Sequence, residues 1–91
     1  MSAARGSFEV RNKLGLHARA ATKLVQLASQ FPCEIVISRA GQSANAKSVM
    51  GVLLLCGSKG TVLDLEAHGP QAEEAIQRLG QLIGNRFGED E

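Results

Sequence analysis

The chain has 91 residues and a formal net charge of +1, a length that fits one domain rather than two. A hydrophobic fraction of 44% with 21% charged residues argues against disorder for the bulk of the chain. Three Phe with no Trp or Tyr leave an aliphatic core and almost nothing to stack on a nucleobase. A domain this small buries only somewhat more than about 60% of the surface its unfolded chain exposes, so a small carrier, binder or regulator is expected rather than an enzyme with a deep enclosed cavity.

Residues 1–6 are small and polar and are expected to fray. Residues 7–12 alternate, with Phe8 and Val10 to one face and Glu9 and Arg11 to the other, which predicts a strand with one wet side. Residues 13–16 read as a loop. The period then becomes helical: Ala21, Leu24, Val25, Ala28 and Phe31 form one apolar stripe, predicting a helix over 18–30 that Pro32 stops. Residues 33–40 favour a strand, and a turn at Ala40, Gly41 and Gln42 leads to a short return strand over 43–46. Ser48 is a favoured N-cap for a short helix over 49–55. After a Gly- and Ser-rich turn, residues 61–67 alternate again, with Leu63, Leu65 and Ala67 inward. Gly69 and Pro70 mark the last helix start, with Pro70 near its first position. Its stripe is Ala72, Ile76, Leu79, Ile83 and Phe87, and residues 88–91 form an acidic end expected to be flexible. The order β-α-β-β-α-β-α, with one polar face per strand, predicts a single α+β domain over residues 1–91. It is a two-layer open-faced sandwich with an antiparallel sheet and helices over one face.

The near-zero net charge hides an asymmetry. Residues 1–47 carry seven bases and two acids, whereas residues 48–91 carry three bases and seven acids. Bases gathered on one face would suit an anion or an acidic protein surface; interleaving of the halves in the fold would cancel them. Cys33 and Cys56 make no CxxC pattern, so no metal site or disulfide framework is expected, only two free, mostly buried thiols. No apolar run approaches the roughly 20 residues that span a bilayer, and no N-terminal stretch resembles a signal peptide. The expectation is a cytoplasmic protein with no membrane partner. Weak net charge without Trp or Tyr also argues against a nucleic-acid partner.

Chemistry concentrates in Gly15-Leu16-His17-Ala18-Arg19-Ala20. A histidine at the junction of loop and helix meets unpaired first-turn N–H groups, an anion-friendly position. A neutral imidazole can attack a phosphoryl group and hold it. The amides of Ala18 and Arg19 and the Arg19 guanidinium would meet the phosphoryl oxygens. The bland alternative is that His17 merely caps the helix and Arg19 is solvated. No acid/base pair, metal cluster or Gly-rich phosphate loop accompanies His17, so neither a cofactor nor stand-alone catalysis is expected. A second motif, Ala46-Lys47-Ser48-Val49-Met50-Gly51, lies downstream.

Asn12-Lys13-Leu14-Gly15-Leu16-His17-Ala18-Arg19 resembles the phosphorylation-site segment of the histidine-containing phosphocarrier family, HPr, of the bacterial phosphoenolpyruvate-dependent phosphotransferase system. Lys47-Ser48-Val49-Met50-Gly51 resembles the same family's regulatory serine segment. The resemblance runs over about residues 7–87. It implies a four-stranded antiparallel sheet with three helices on one face. It also implies transfer from enzyme I to Nδ1 of His17, with Arg19 steadying the phosphoryl group, and onward transfer to IIA-type domains. Docking is expected to use Ala20, Lys23 and Leu24 of the first helix and Lys47, Val49, Met50 and Leu53 around the second; core packing is the competing reading for Met50 and Leu53. By the same resemblance Ser48, besides capping, is expected to be the target of an HPr kinase/phosphorylase. Ala20 stands where the family commonly has Pro, which keeps the helix but loosens its first turn. Alternatives are the nitrogen-branch phosphocarrier, NPr, which shares the Asn-Lys-Leu-Gly-Leu-His stretch, and a regulatory paralogue acting by phosphorylation-dependent protein binding. The chain is expected to work as a monomer.

Overall fold

Four alternating segments build one sheet in the computed structural model, which describes residues 2–91. The elements run β1 (Ala3–Glu9), α1 (Ala18–Ala28), β2 (Glu34–Arg39), β3 (Gln42–Asn45), α2 (Val49–Leu54), β4 (Val62–His68) and α3 (Ala72–Gly84), followed by a 3-10 turn at Arg86–Gly88. Strand order is β1-β4-β2-β3 and every neighbouring pair is antiparallel. Ile35, Ile37, Leu63, Leu65 and Ala67 point into the core and are fully buried. On the opposite face, polar groups pair across the strands. Arg5 lies in register with Glu66 and its Nε donates to Oε2 at 2.7 Å, while Ser7 faces Asp64 and its Oγ donates to Oδ1 at 2.6 Å. Such a face needs no cover, so the helices layer on the apolar side alone. The predicted open-faced α+β sandwich is the observed one.

The α1 and α3 stripes supply the other half of the core. Ala21, Leu24, Val25 and Ala28 of α1 and Ala72, Ile76, Leu79 and Ile83 of α3 are all buried. Gly80, in mid-helix where Gly is disfavoured by about 1 kcal/mol against Ala, allows α3 to lie close on β1. A Cβ there would run into the Phe8 ring.

Three boundaries differ from expectation. First, β1 begins at Ala3, so residues 3–6, expected to fray, pair with β4 from Ala3 opposite His68 to Gly6 opposite Leu65. Two Ala and a Gly carry no amphipathic signal of their own; the partner strand supplies the hydrogen bonds. Second, α3 begins at Ala72, with Gln71 as N-cap at φ 65°, which leaves Pro70 outside the helix. Third, α3 stops at Gly84, so Phe87 does not continue its stripe. Arg86 and Phe87 instead take left-handed φ of 57° and 54°, and the Phe87 ring is driven fully into the core. This reversal sends residues 88–91 back across the molecule, where they hydrogen-bond to Lys13 and Arg86.

Of the two free thiols, Cys33 is buried as expected but Cys56 is exposed. Cys56 occupies the left-handed position just after α2, at φ 54°, the place that ends a helix and usually holds Gly. Among the described residues, no helix is long and apolar enough to cross a membrane.

Candidate functional site

The loop between β1 and α1 is fixed from both ends. Asn12 is fully buried and its Nδ2 donates to the Gly15 carbonyl at 2.8 Å, while the Gly15 N–H returns to the Asn12 carbonyl at 3.2 Å. Gly15 sits at φ 67°, and a Cβ there would collide with the Gly57 carbonyl oxygen. The next residue, Leu16, donates its N–H to that same carbonyl at 2.7 Å and buries its side chain. The turn after α2 therefore anchors the residue immediately before His17.

His17 is the N-cap residue of α1, with extended backbone at φ −76° and ψ 176°, and its side chain makes no capping hydrogen bond. The imidazole is thus free of the bland capping role. The first intrahelical bond runs from the Ala21 N–H to the His17 carbonyl at 2.9 Å, so the N–H groups of Ala18, Arg19 and Ala20 precede the ladder and carry the partial positive charge of a helix start. Arg19 is exposed, and among the described residues no carboxylate pairs with its guanidinium.

The ring of His17 meets a residue that sequence reasoning did not single out. Nε2 hydrogen-bonds to Oε2 of Glu89, with the two side chains 25% and 15% exposed. The other oxygen of that carboxylate, Oε1, accepts from Asn12 Nδ2 at 3.0 Å. Burial pushes the Glu89 carboxyl up, but the hydrogen bonds from His17 and Asn12, and the nearby charges of His17 and Lys23, outweigh it and hold it below its ordinary value. Backbone contacts hold the rest of this tail. The Lys13 N–H donates to the Glu91 carbonyl at 2.6 Å, Lys23 Nζ to the Phe87 carbonyl at 2.7 Å, and Arg86 Nη1 to the Asp90 carbonyl at 3.0 Å.

The charge asymmetry resolves here into both of its readings. Lys13, Arg19 and Lys23 do gather along one cleft, yet residues 88–91 form its other wall. The basic loop and the acidic end of the chain meet at the histidine.

Ser48 is the N-cap of α2, half-buried, and its Oγ accepts from the Gly51 N–H at 3.2 Å. Lys47 beside it reaches back to the Phe31 carbonyl, Nζ to O at 2.7 Å, tying α2 to the end of α1. Of the expected docking residues, Met50 is 68% exposed, and Val49 and Leu53 are half-buried against the core. Ala20 and Leu24 are corrected: both are fully buried. They belong to the inward stripe of α1 and have no atoms to offer a partner. Leu14 and Leu54, at 70% and 69% exposed, are the large apolar surface residues that periodicity did not flag. Leu14 had a signal, being apolar in a tight loop with no stripe to join.

Comparison with known proteins places this geometry in a family. Residues 4–85 match the family described as PTS HPr component phosphorylation site. The phosphocarrier protein HPr of Cupriavidus necator is 51% identical over 80 residues, 88% of this chain and 90% of that protein. The crystal structure of HPr-C-His from Thermoanaerobacter tengcongensis superposes with a TM-score of 0.93 at 43% identity, covering 97% of this chain and 99% of that one. The phosphocarrier protein NPr of Escherichia coli is 42% identical over 85 residues, 92% of this chain and 94% of that protein. The chain belongs to the HPr family. It is a phosphocarrier of the phosphotransferase system, more similar to the HPr of Cupriavidus necator than to the NPr of Escherichia coli.

Proposed function

We propose that His17 is the acceptor, taking a phosphoryl group on Nδ1 from phospho-enzyme I and passing it to a histidine of an IIA-type domain. The observation that carries this reading is the arrangement at the start of α1. A partly exposed imidazole, uncommitted to capping, stands beside three N–H groups that precede the helix ladder and a guanidinium, two residues on, with no carboxylate partner among the described residues. Phosphoryl transfer asks little covalent work of a carrier; alignment and charge stabilisation dominate it. The amides of Ala18 and Arg19 and the Arg19 side chain would hold the three oxygens of the transferred group. All of these groups belong to one copy of the chain, so a monomer suffices. Partner docking would use Met50 with Val49 and Leu53 of α2, flanked by Lys23 and Lys47. This apolar centre with a basic rim suits an acidic surface.

Incubation with phosphoenolpyruvate and enzyme I, read by intact mass, should add one acid-labile phosphoryl group, which an IIA domain then removes. No gain in mass, or a label on His68, overturns the assignment. Offering a sugar-type and a nitrogen-type IIA domain side by side decides the branch.

Ser48 would be the regulatory site, phosphorylated by an HPr kinase from ATP. A phosphate there adds about −1.5 to −2 charges at the start of α2, favourable for the helix but repulsive to an acidic partner docking beside it. Ser48→Asp is expected to slow phosphorylation of His17 by about tenfold, and an unchanged rate removes the regulatory role.

A further inference from the structure

We propose that Arg11, Lys59 and Arg86 form a second anion site, one that binds a small phosphomonoester. It shares no residue with the start of α1, so it stands whether or not His17 is the phosphoryl acceptor. Three segments far apart in the chain meet there, at one end of the sheet. Just beyond β1, the Val10 N–H donates to the Thr61 carbonyl and the Val10 carbonyl accepts from the Gly60 N–H, both at 2.8 Å. This pair of bonds holds the chain at Arg11 against the chain at Lys59. The third base arrives with the turn after α3, where Arg86 takes a left-handed φ of 57° instead of continuing the helix. Together with Glu9, Val10 and Gly84, the three bases line an open cavity of about 380 Å³.

The bases are uncommitted. Among the described residues none of the three enters an ion pair with a carboxylate, and Glu9 pairs with no base. Neither Arg11 nor Lys59 makes a side-chain hydrogen bond among those residues, and Arg86 makes one, from Nη1 to the Asp90 carbonyl at 3.0 Å. Like charges around one cavity repel, and a bound anion relieves that repulsion. Three bases with one acid leave a formal excess of two positive charges. A phosphomonoester, at about −1.5 to −2 near pH 7, neutralises that excess, whereas a monocarboxylate removes only half of it. The guanidinium forks of Arg11 and Arg86 suit phosphoryl oxygens, and Lys59 adds a compact point charge. Size and lining narrow the rest of the ligand. The volume falls near the low end of small-molecule sites, and no aromatic ring lines the cavity. A nucleobase gains nothing there, so the ligand is a short polar phosphomonoester rather than a nucleotide. The competing role for these bases is to complement the negative end of the α3 dipole beside Gly84.

The test titrates glycerol 3-phosphate and inorganic phosphate into the native chain, Arg11→Gln and Lys59→Gln at constant ionic strength, with acetate and sodium chloride as controls. The backbone amide spectrum and the thermal midpoint are read at each step. Arg11 and Lys59 are exposed, so both variants are expected to fold. In the native chain, glycerol 3-phosphate should give saturable shifts at the amides of Arg11, Lys59, Gly60 and Arg86 and raise the midpoint. Each variant should bind it about tenfold more weakly or worse, and acetate should bind the native chain more weakly by a similar factor. The start of α1 also attracts phosphate, so the amides of Ala18 and Arg19 are followed separately, and their response should survive in both variants. Shifts confined to Ala18 and Arg19 would overturn the inference. An equal response to chloride would reduce the effect to screening, and saturation by inorganic phosphate alone would exclude the monoester; either result overturns the assignment. Native affinity in both variants, with a midpoint lowered in the absence of phosphate, would leave only the helix-dipole role.

Discussion

His17→Ala is expected to abolish phosphoryl acceptance altogether, with no detectable mass gain under conditions that fully label the native chain. The substitution removes the only imidazole held at a helix start. Among the described residues the other histidine, His68, lies at the end of β4, where its Nε2 faces Glu66 Oε1 at 3.2 Å on the open side of the sheet. His68→Ala should accordingly be labelled at the native rate. The fold of His17→Ala should survive, because His17 contributes to α1 through its carbonyl, which accepts from Ala21 in any residue type. Its side chain makes one bond, to a partly exposed carboxylate, so the stability cost is expected to be no more than about 1–2 kcal/mol. Chemical denaturation checks this beside the labelling. A label that persists in His17→Ala would mean that the phosphoryl group resides elsewhere, and the reading of the α1 start as its seat would fall.

Phe87→Ala is expected to be the most damaging single truncation for stability, costing about 3–5 kcal/mol of the roughly 5–15 kcal/mol that a domain typically has. Phe87 is first in size among the fully buried side chains, and it fills the core from the one segment after α3 that enters it. Ala tolerates the left-handed φ of 54° at this position no better than Phe, so nothing is regained by the change. The loss also reaches the site. Phe87 carries the carbonyl that Lys23 grips, and Glu89 follows two residues later. Even at a temperature where Phe87→Ala remains folded, the contact of Glu89 with His17 should loosen. Phe87→Leu, which keeps most of the apolar volume, should fall between. A denaturation free energy reduced by less than about 1 kcal/mol would show that the ring is not a core anchor.

The periodicities carried the fold class. Strand and helix patterns are local consequences of backbone geometry, repeating every 2 or about 3.6 residues, and α1, α3, β1, β2 and β4 lie where the apolar spacing puts them, to within a few residues at each end. Phe31, Cys33 and the stripes of α1 and α3 are buried as that spacing requires. The weak points were residues without a pattern. Ala3, Ala4 and Gly6 became strand because β4 offered them hydrogen bonds, and Gln71, Arg86 and Phe87 adopted positive φ that no side-chain preference announces.

The candidate site divides the same way. The amino-acid sequence by itself determined that a histidine stands at a helix start with an arginine two residues on and that a serine caps a second short helix, because helix initiation and capping are decided within a few residues. It also placed Gly15 where the chain needs a left-handed turn. Leu24 belongs to the apolar stripe and is buried with it, but only the tertiary structure decided that Ala20, outside that stripe, also faces the core rather than a partner, since how much of α1 is covered depends on where the sheet lies. It alone brought Glu89 to His17 across 72 residues of chain. That contact depends on the reversal at Arg86 and Phe87, on the depth of the Phe87 ring and on a buried Asn12 waiting opposite. None of these is expressed in the spacing of residues along the chain, because each is a property of surfaces that exist only once the layers have packed.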